Sequence, residues 1–554
     1  MVRSRTRFLA QSAIILFLTY SSAQEKRVPD SRRIELSPDS ALVNNVGRLP
    51  KIDVSDFVIT GASSIEIPVA EKLSLDLSWV TVATRPAIGE RTREKPTLSV
   101  RAQNIVHDSK KPLSGKLVFN GGTFLSTDAA LWVGRSEPQG RYGMNINYVR
   151  SSGYAANTDY ARGSIDASGG ILLPEELSPF SGADLSGSVF FGGNAYGFYG
   201  SIRPMLKREN NVLEFSAMLS QTKKFPFAGG IRFRSFVTHD SAETAERTIA
   251  LSFAKVLELL DRQLSLHSEL TLTEIAGGQS SSYPISQTSV HSQVYDVAPV
   301  LVSAGLALYV GRNSKGVSFL RLYPELQTAV QLNATHRFVA AYEPRVQRST
   351  LEQNLQLNPY LLASSEIRHK DISSSGRLAF ESSWTGSLSS RVSAIVQSID
   401  DYPFLVDSSS SGWWQNVYAG TVTMTTIRAE MFAKFRSFDY FASSITVDIS
   451  KNSSTGGKIP YLPEYKFVAE YGKVLGERWK LCVSLTVSGV QETQLAPSAT
   501  LRGFSQLNLG SSYEFNNVLS AQVSILNLLN QRFERWKGYQ EFPLMLQAGV
   551  SVNW

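Results

Sequence analysis

Thiols, histidines and long apolar runs are scarce in this chain, and each scarcity excludes something. Cys482 is the only cysteine in 554 residues, so no disulfide framework exists within the chain. It sits on the polar phase of an alternating stretch, as a small packed residue does rather than a reactive thiol. The six histidines, His107, His239, His267, His291, His336 and His369, are dispersed, and no Cys, His or carboxylate cluster has metal-ligand spacing. No cofactor is expected. "SLHSEL" sets Ser268 beside His267 without further catalytic context, and "GGIRFRSF" has no strand, glycine loop and helix around it. Beyond the N-terminus no apolar run approaches the roughly 20 residues of a spanning helix. The 55 basic and 48 acidic residues leave +7 spread along the chain, which argues against a nucleic-acid partner.

What is present begins with a compartment signal. Arg3, Arg5 and Arg7 precede "SAIILFLTY" and then Ser21-Ser22-Ala23-Gln24: a basic region, a short apolar region and a small-x-small cleavage site. Residues 1–23 are expected to be a signal peptide cut between Ala23 and Gln24, and 24–66 a polar periplasmic extension.

The dominant pattern is alternation. In "LMLQAGVSVNW", Leu544, Leu546, Ala548, Val550 and Val552 share one phase, while Gln547, Gly549, Ser551 and Asn553 share the other. "WKLCVSLTVS" repeats it with Trp479, Leu481, Val483, Leu485 and Val487 against Lys480, Cys482, Ser484, Thr486 and Ser488. The first such stretch is "LSLDLSW", Leu73–Trp79. From Arg377 onward, short turns at "WTGSLSS", "RSFD", "KVLGER" and "EFNNV" take turns with long polar stretches. Short turns at one end and long loops at the other suit an outer-membrane barrel, the one form in which strands span lipid with all backbone groups paired. The expected fold is all-β: a large antiparallel transmembrane β-barrel of about 16–22 strands over residues 67–554, with no separate plug domain and both termini periplasmic. Trp413, Trp414, Tyr418, Tyr461, Tyr513, Trp536 and Tyr539 are girdle candidates.

The last hairpin, "VSILNLLNQRFERWKGYQEFPLMLQAGVSVNW", resembles the C-terminal end of TonB-dependent receptors, with Asn527, Leu528, Asn530, Phe533 and Trp554 at the motif positions. "LNPYL", "IDDYPF" and "GGKIPYLPEYKF" are similar to loop-to-strand junctions of that family. The resemblance covers about the last 200 residues. Such receptors carry a TonB box and a large plug, whereas Leu73 lies only about 50 residues past Ala23, so the expectation is a plugless, receptor-like barrel.

Leu546, Val550, Val552 and Trp554 form the expected assembly signal for the barrel-assembly machinery, with outer-membrane lipid as surroundings. Arg232, Arg234, Arg337, Glu343, Arg428, Glu430, Lys434 and Arg436 fall on the inner phase, as a solute path or, by preference, an ion-pair lattice that stiffens the wall. The function expected is solute transport or export across the outer membrane, without enzymatic activity and with a periplasmic partner as gate. A closed scaffold binding envelope partners is the alternative, and an outer-membrane enzyme the third reading.

Overall fold

The computed structural model describes residues 113–554, apart from residues 138, 175, 178–179, 222–225, 260–261, 278–280, 314–315, 386, 408–409, 436–438 and 495–498. The expected signal peptide, the 24–66 extension, the Leu73–Trp79 strand and Arg436 lie outside the described residues.

Of the 24 strands in the main sheet, two are the short segments Ser281–Ser282 and Arg345–Gln347, leaving 22 that form the wall. They are β1 (Ser114–Gly122), β2 (Ser126–Glu137), β3 (Gly140–Ser151), β4 (Tyr160–Leu172), β5 (Asp184–Gly197), β6 (Lys207–Gln221), β7 (Phe227–His239) and β8 (Glu243–Leu259). Next come β9 (Arg262–Ala276), β10 (Ile285–Val297), β11 (Val300–Arg312), β12 (Ser318–Gln331), β13 (His336–Tyr342), β14 (Lys370–Thr385) and β15 (Leu388–Asp400). The last are β16 (Val422–Lys434), β17 (Tyr440–Asn452), β18 (Tyr465–Leu475), β19 (Trp479–Ser488), β20 (Phe504–Glu514), β21 (Leu519–Leu526) and β22 (Met545–Asn553). Each pairs antiparallel with the next, and β1 pairs with β22 from Lys116↔Asn553 to Gly122↔Gln547, which closes the ring. The barrel thus has 22 strands, at the top of the expected range.

Alternation fixes which face each side chain takes. On β22, Leu546 and Val550 are exposed on the outer face, while Met545 and Ser551 are buried on the inner one. The one apolar break in the polar phase, Met545, packs in the aromatic core described below. Cys482 is a buried free thiol. Ala254–Leu259 end β8 and Arg262–Leu264 begin β9.

Loop lengths sort as expected. Turns at 386–387, 435–439, 476–478 and 515–518 mark one end, and loops 401–421, 453–464, 489–503 and 527–544 the other. At the short-turn end, Tyr142, Tyr295, Trp384, Trp479, Tyr513 and Trp554 all stay exposed, a girdle at one level of the wall. Only Tyr513 of the sequence candidates belongs to it. Trp413, Trp414, Tyr418, Tyr461, Trp536 and Tyr539 sit in the long loops: Trp414, Tyr461, Trp536 and Tyr539 pack together, Trp413 stacks on Phe198, and Tyr418 lies under Arg368.

Candidate functional site

The long loops fold over the mouth. Helix α1 (Leu351–Leu357), the one α-helix among the described residues, starts at a capping box: Thr350 Oγ1 accepts from Gln353 N, and Gln353 Oε1 accepts from Thr350 N. It stops before Asn358-Pro359, where proline disfavours continuation. "LNPYL" is therefore the end of this helix and the chain beyond it, not a loop-to-strand junction. "IDDYPF" leaves β15 for a loop hairpin, and "GGKIPYLPEYKF" does run into β18.

Two ion-pair systems tie this segment to the wall. Arg234 on β7 donates to both Glu352 oxygens at 2.5 Å and also pairs with Glu214 on β6. Glu246 on β8 accepts from Leu351 N at 2.5 Å and from Tyr283 Oη at 2.7 Å. Arg208, fully buried, pairs with Asp240 and donates through Nη1 to the carbonyls of Pro359 and Leu361, each at 2.7 Å. The β6–β8 wall thereby holds a loop that leaves the barrel between β13 and β14, so the chain bridges the opening.

Aromatic packing completes the roof. Tyr360 stacks on Tyr539 with centroids 3.4 Å apart, Phe198 on Trp413 at 4.8 Å, and Trp536 contacts Trp414 and Tyr461. Tyr539 Oη donates to Gly412 O and Tyr196 Oη to Pro359 O. Gly200, Gly412 and Gly538 come from three loops and meet backbone to backbone: a Cβ at 412 would stand 2.6 Å from Gly200 O, and one at 200 still closer to Gly538 O. Gly412 and Gly538 also hold positive φ, so glycine is required there twice over.

His369, buried beside Tyr283 and Phe319, accepts from Ser349 N at 3.3 Å. Burial first, and the nearby Arg348 second, push its imidazole down to about 4 from 6.5. A depressed histidine stabilises the folded loop above pH 6.5, and that stabilisation fades as pH falls towards about 4. Loop 343–369 should accordingly become more protease-sensitive at pH 5 than at pH 7.5. His369→Asn should flatten that dependence in limited proteolysis; a slope unchanged by the substitution would assign it to another group.

The inner wall carries charge in register. Arg337, Glu381, Arg391 and Glu430 lie directly opposite one another on β13, β14, β15 and β16, alternating in sign. Arg337 pairs with Glu381 at 2.7 Å, Arg391 approaches Glu381 at 3.7 Å, and Arg428 reaches Glu430 at 2.7 Å. Glu343 faces Arg377 at 3.9 Å, and Lys434 lies exposed at the end of its strand. Arg232 is half-buried on β7; burial first, with Arg232 nearby adding to it, lowers the pull of Arg348 on a proton. Seven of the eight inner-phase candidates are thus located, and Arg234 does more than the sequence suggested, because Glu352 is 118 residues away. His267 and Ser268 point to opposite faces of β9 and cannot act as one nucleophile–base pair.

The C-terminal motif is turn chemistry. Asn527 has φ 50° and donates through Nδ2 to the carbonyls of Gln531 and Phe542; Asn530 has φ 48° and accepts from Leu544 N. Phe533 stacks on Phe504 at 4.0 Å, and Leu528 is exposed, its N–H on Leu507 O. Trp554 exchanges two backbone hydrogen bonds of 3.0 Å with Gly115, and its ring lies over that glycine, where any side chain would strike it. Leu546, Val550 and Val552 run outward along the same closing strand.

No family model matches the sequence, and no curated protein sequence matches it. Solved structures do. The FrpB iron transporter of Neisseria meningitidis superposes with a TM-score of 0.63 at 10% identity, over 80% of this chain and 82% of that one. The copper transporter OprC gives 0.62 at 11% identity over 80% and 81%. The ferric enterobactin receptor PfeA of Pseudomonas aeruginosa gives 0.60 at 12% identity over 80% and 80%. At such identities the likeness is one of fold: this chain shares the large closed β-barrel of those transporters and receptors.

Proposed function

We propose that this chain is a receptor-like outer-membrane barrel that moves a solute across that membrane, with long loops outside, both termini in the periplasm, and the N-terminal segment or a periplasmic partner as gate. The observation that carries it is the closed 22-strand wall, apolar outside and polar inside, since a ring of that size encloses water unless something fills it. Transporters of the same fold support the reading. Signal-peptide removal after Ala23 and recognition of Trp554 by the barrel-assembly machinery belong to the same proposal.

Orientation has a direct test. An epitope at Ser410–Ser411 should label on intact cells, and one at Asn516–Asn517 only after permeabilisation; the reverse pattern overturns the topology. The gate has an electrical one. Protein in planar bilayers should conduct weakly, and deletion of residues 24–55 should raise the conductance. The loop roof and the charge row also suit a closed scaffold that binds envelope partners, a reading that predicts silence from both forms.

A further inference from the structure

The wall has a seam. β12 pairs with β11 along its whole length, to Arg312↔Ser318, yet with β13 only from Leu326↔Tyr342 to Gln331↔Arg337. Beyond Tyr342 the chain stays with β14, through Glu343 N to Ser375 O and then Arg345–Gln347 on Lys370–Ile372. Ser318–Glu325 therefore has one edge with no strand beside it among the described residues.

Both lips are built for separation. Pro324 stands on one and Pro344 on the other, each removing a backbone donor from a position where a ladder would need it. Pro324 lies opposite Leu306 and cannot donate to β11, so its nitrogen faces the free edge, as do the backbone groups of Leu320 and Leu322. Arg321 Nη1 caps the Leu320 carbonyl at 3.2 Å in place of a strand.

Side chains close the gap instead. Asp371 on β14, paired behind the far lip with Val346, accepts from Arg321 Nε at 2.6 Å and from the Tyr323 hydroxyl, a clasp of one carboxylate. Behind it, on the lumenal side, Ile285, Ala307, Tyr309, Val346, Phe319 and Tyr323 form an apolar patch. In front, Leu320 and Leu322 are 65% and 62% exposed, the most exposed apolar side chains on the described strands, and they continue the outward row of Leu306, Leu308 and Val310 on β11.

Apolar surface thus runs from the outer face, past two unpaired lips, onto a lumenal apolar patch. Backbone groups left unpaired in hydrocarbon cost several kcal/mol each, so this edge, held by the side-chain clasp and without a full ladder, is the weak line of the wall. We infer that this seam is a lateral gate through which an acyl-chain amphiphile passes between the lumen and the leaflet at the long-loop end, with Asp371 as the latch. This rests on the transport reading and narrows its cargo to a molecule with an acyl chain.

The test reads lipid contact rather than current. Gln287 is half-buried on β10, opposite Tyr309 of the patch and outside the latch. In a Cys482→Ser background, Gln287→Cys carries a bimane label in phosphatidylcholine vesicles with or without brominated acyl chains, and Thr446→Cys on β17 is the lumenal control. Asp371→Asn should at least double bromine quenching at 287 and leave 446 unquenched. Tyr323→Phe, which keeps the Arg321–Asp371 pair, should give a smaller rise and covers the case in which Asp371→Asn fails to fold, judged by heat-modifiable migration. Quenching at 287 that never exceeds that at 446 in either folded variant overturns the gate. That outcome leaves an axial solute path intact, whereas an electrically silent barrel would leave the quenching result intact.

Discussion

Arg208→Met should release the roof while leaving the wall folded. Arg208 is fully buried, and its removal strands the Asp240 carboxylate and the carbonyls of Pro359 and Leu361. Breaking one partner of a buried pair costs about 3–5 kcal/mol, chiefly through the charge left behind. A barrel wall held by 22 strand pairings can absorb that; a loop held by a few contacts cannot. The expected result is rapid proteolysis within 343–369 with heat-modifiable migration retained. Replacing Asp240 as well should recover part of the loss, because no orphan charge remains. Equal protection of loop 343–369 in wild type and Arg208→Met would show that the aromatic core alone holds the roof.

Deletion of Trp554 should lower the amount of folded, membrane-inserted protein several-fold. The residue supplies the last two backbone hydrogen bonds between the closing strands and lays its ring over Gly115. The seven register pairs from Lys116↔Asn553 to Gly122↔Gln547 remain after deletion, so the folded minority should be stable once formed. Trp554→Phe should retain most assembly, because an aromatic ring still covers Gly115 and marks the girdle level. Unchanged amounts of heat-modifiable protein after deletion would refute the role.

The wall was legible because a strand's period is local. Trp479 to Ser488 alternate with no help from the rest of the chain, and the same holds for β22. Turn and loop lengths were legible for the same reason. The roof was not, because its partners are remote: Arg234 finds Glu352, Arg208 finds Pro359, and Gly200 meets Gly538 only after the ring has closed. Aromatics in those loops look like girdle residues until their neighbours are known. Helix α1 did leave a local trace, the Thr350–Gln353 box followed by Asn358-Pro359, short enough to pass as loop. The seam left one too, in Tyr323-Pro324-Glu325 and Tyr342-Glu343-Pro344, but two prolines signify facing lips only once the register is known.

Planar-bilayer conductance across three forms tests the central claim, a solute path closed at both ends, most directly. The forms are wild type, the deletion of residues 24–55, and that deletion combined with Arg208→Met. Conductance should rise in that order, with discrete steps in the last form, as first one closure and then the second is removed. Three folded, inserted and electrically silent proteins would contradict the transport account and leave the closed scaffold in its place.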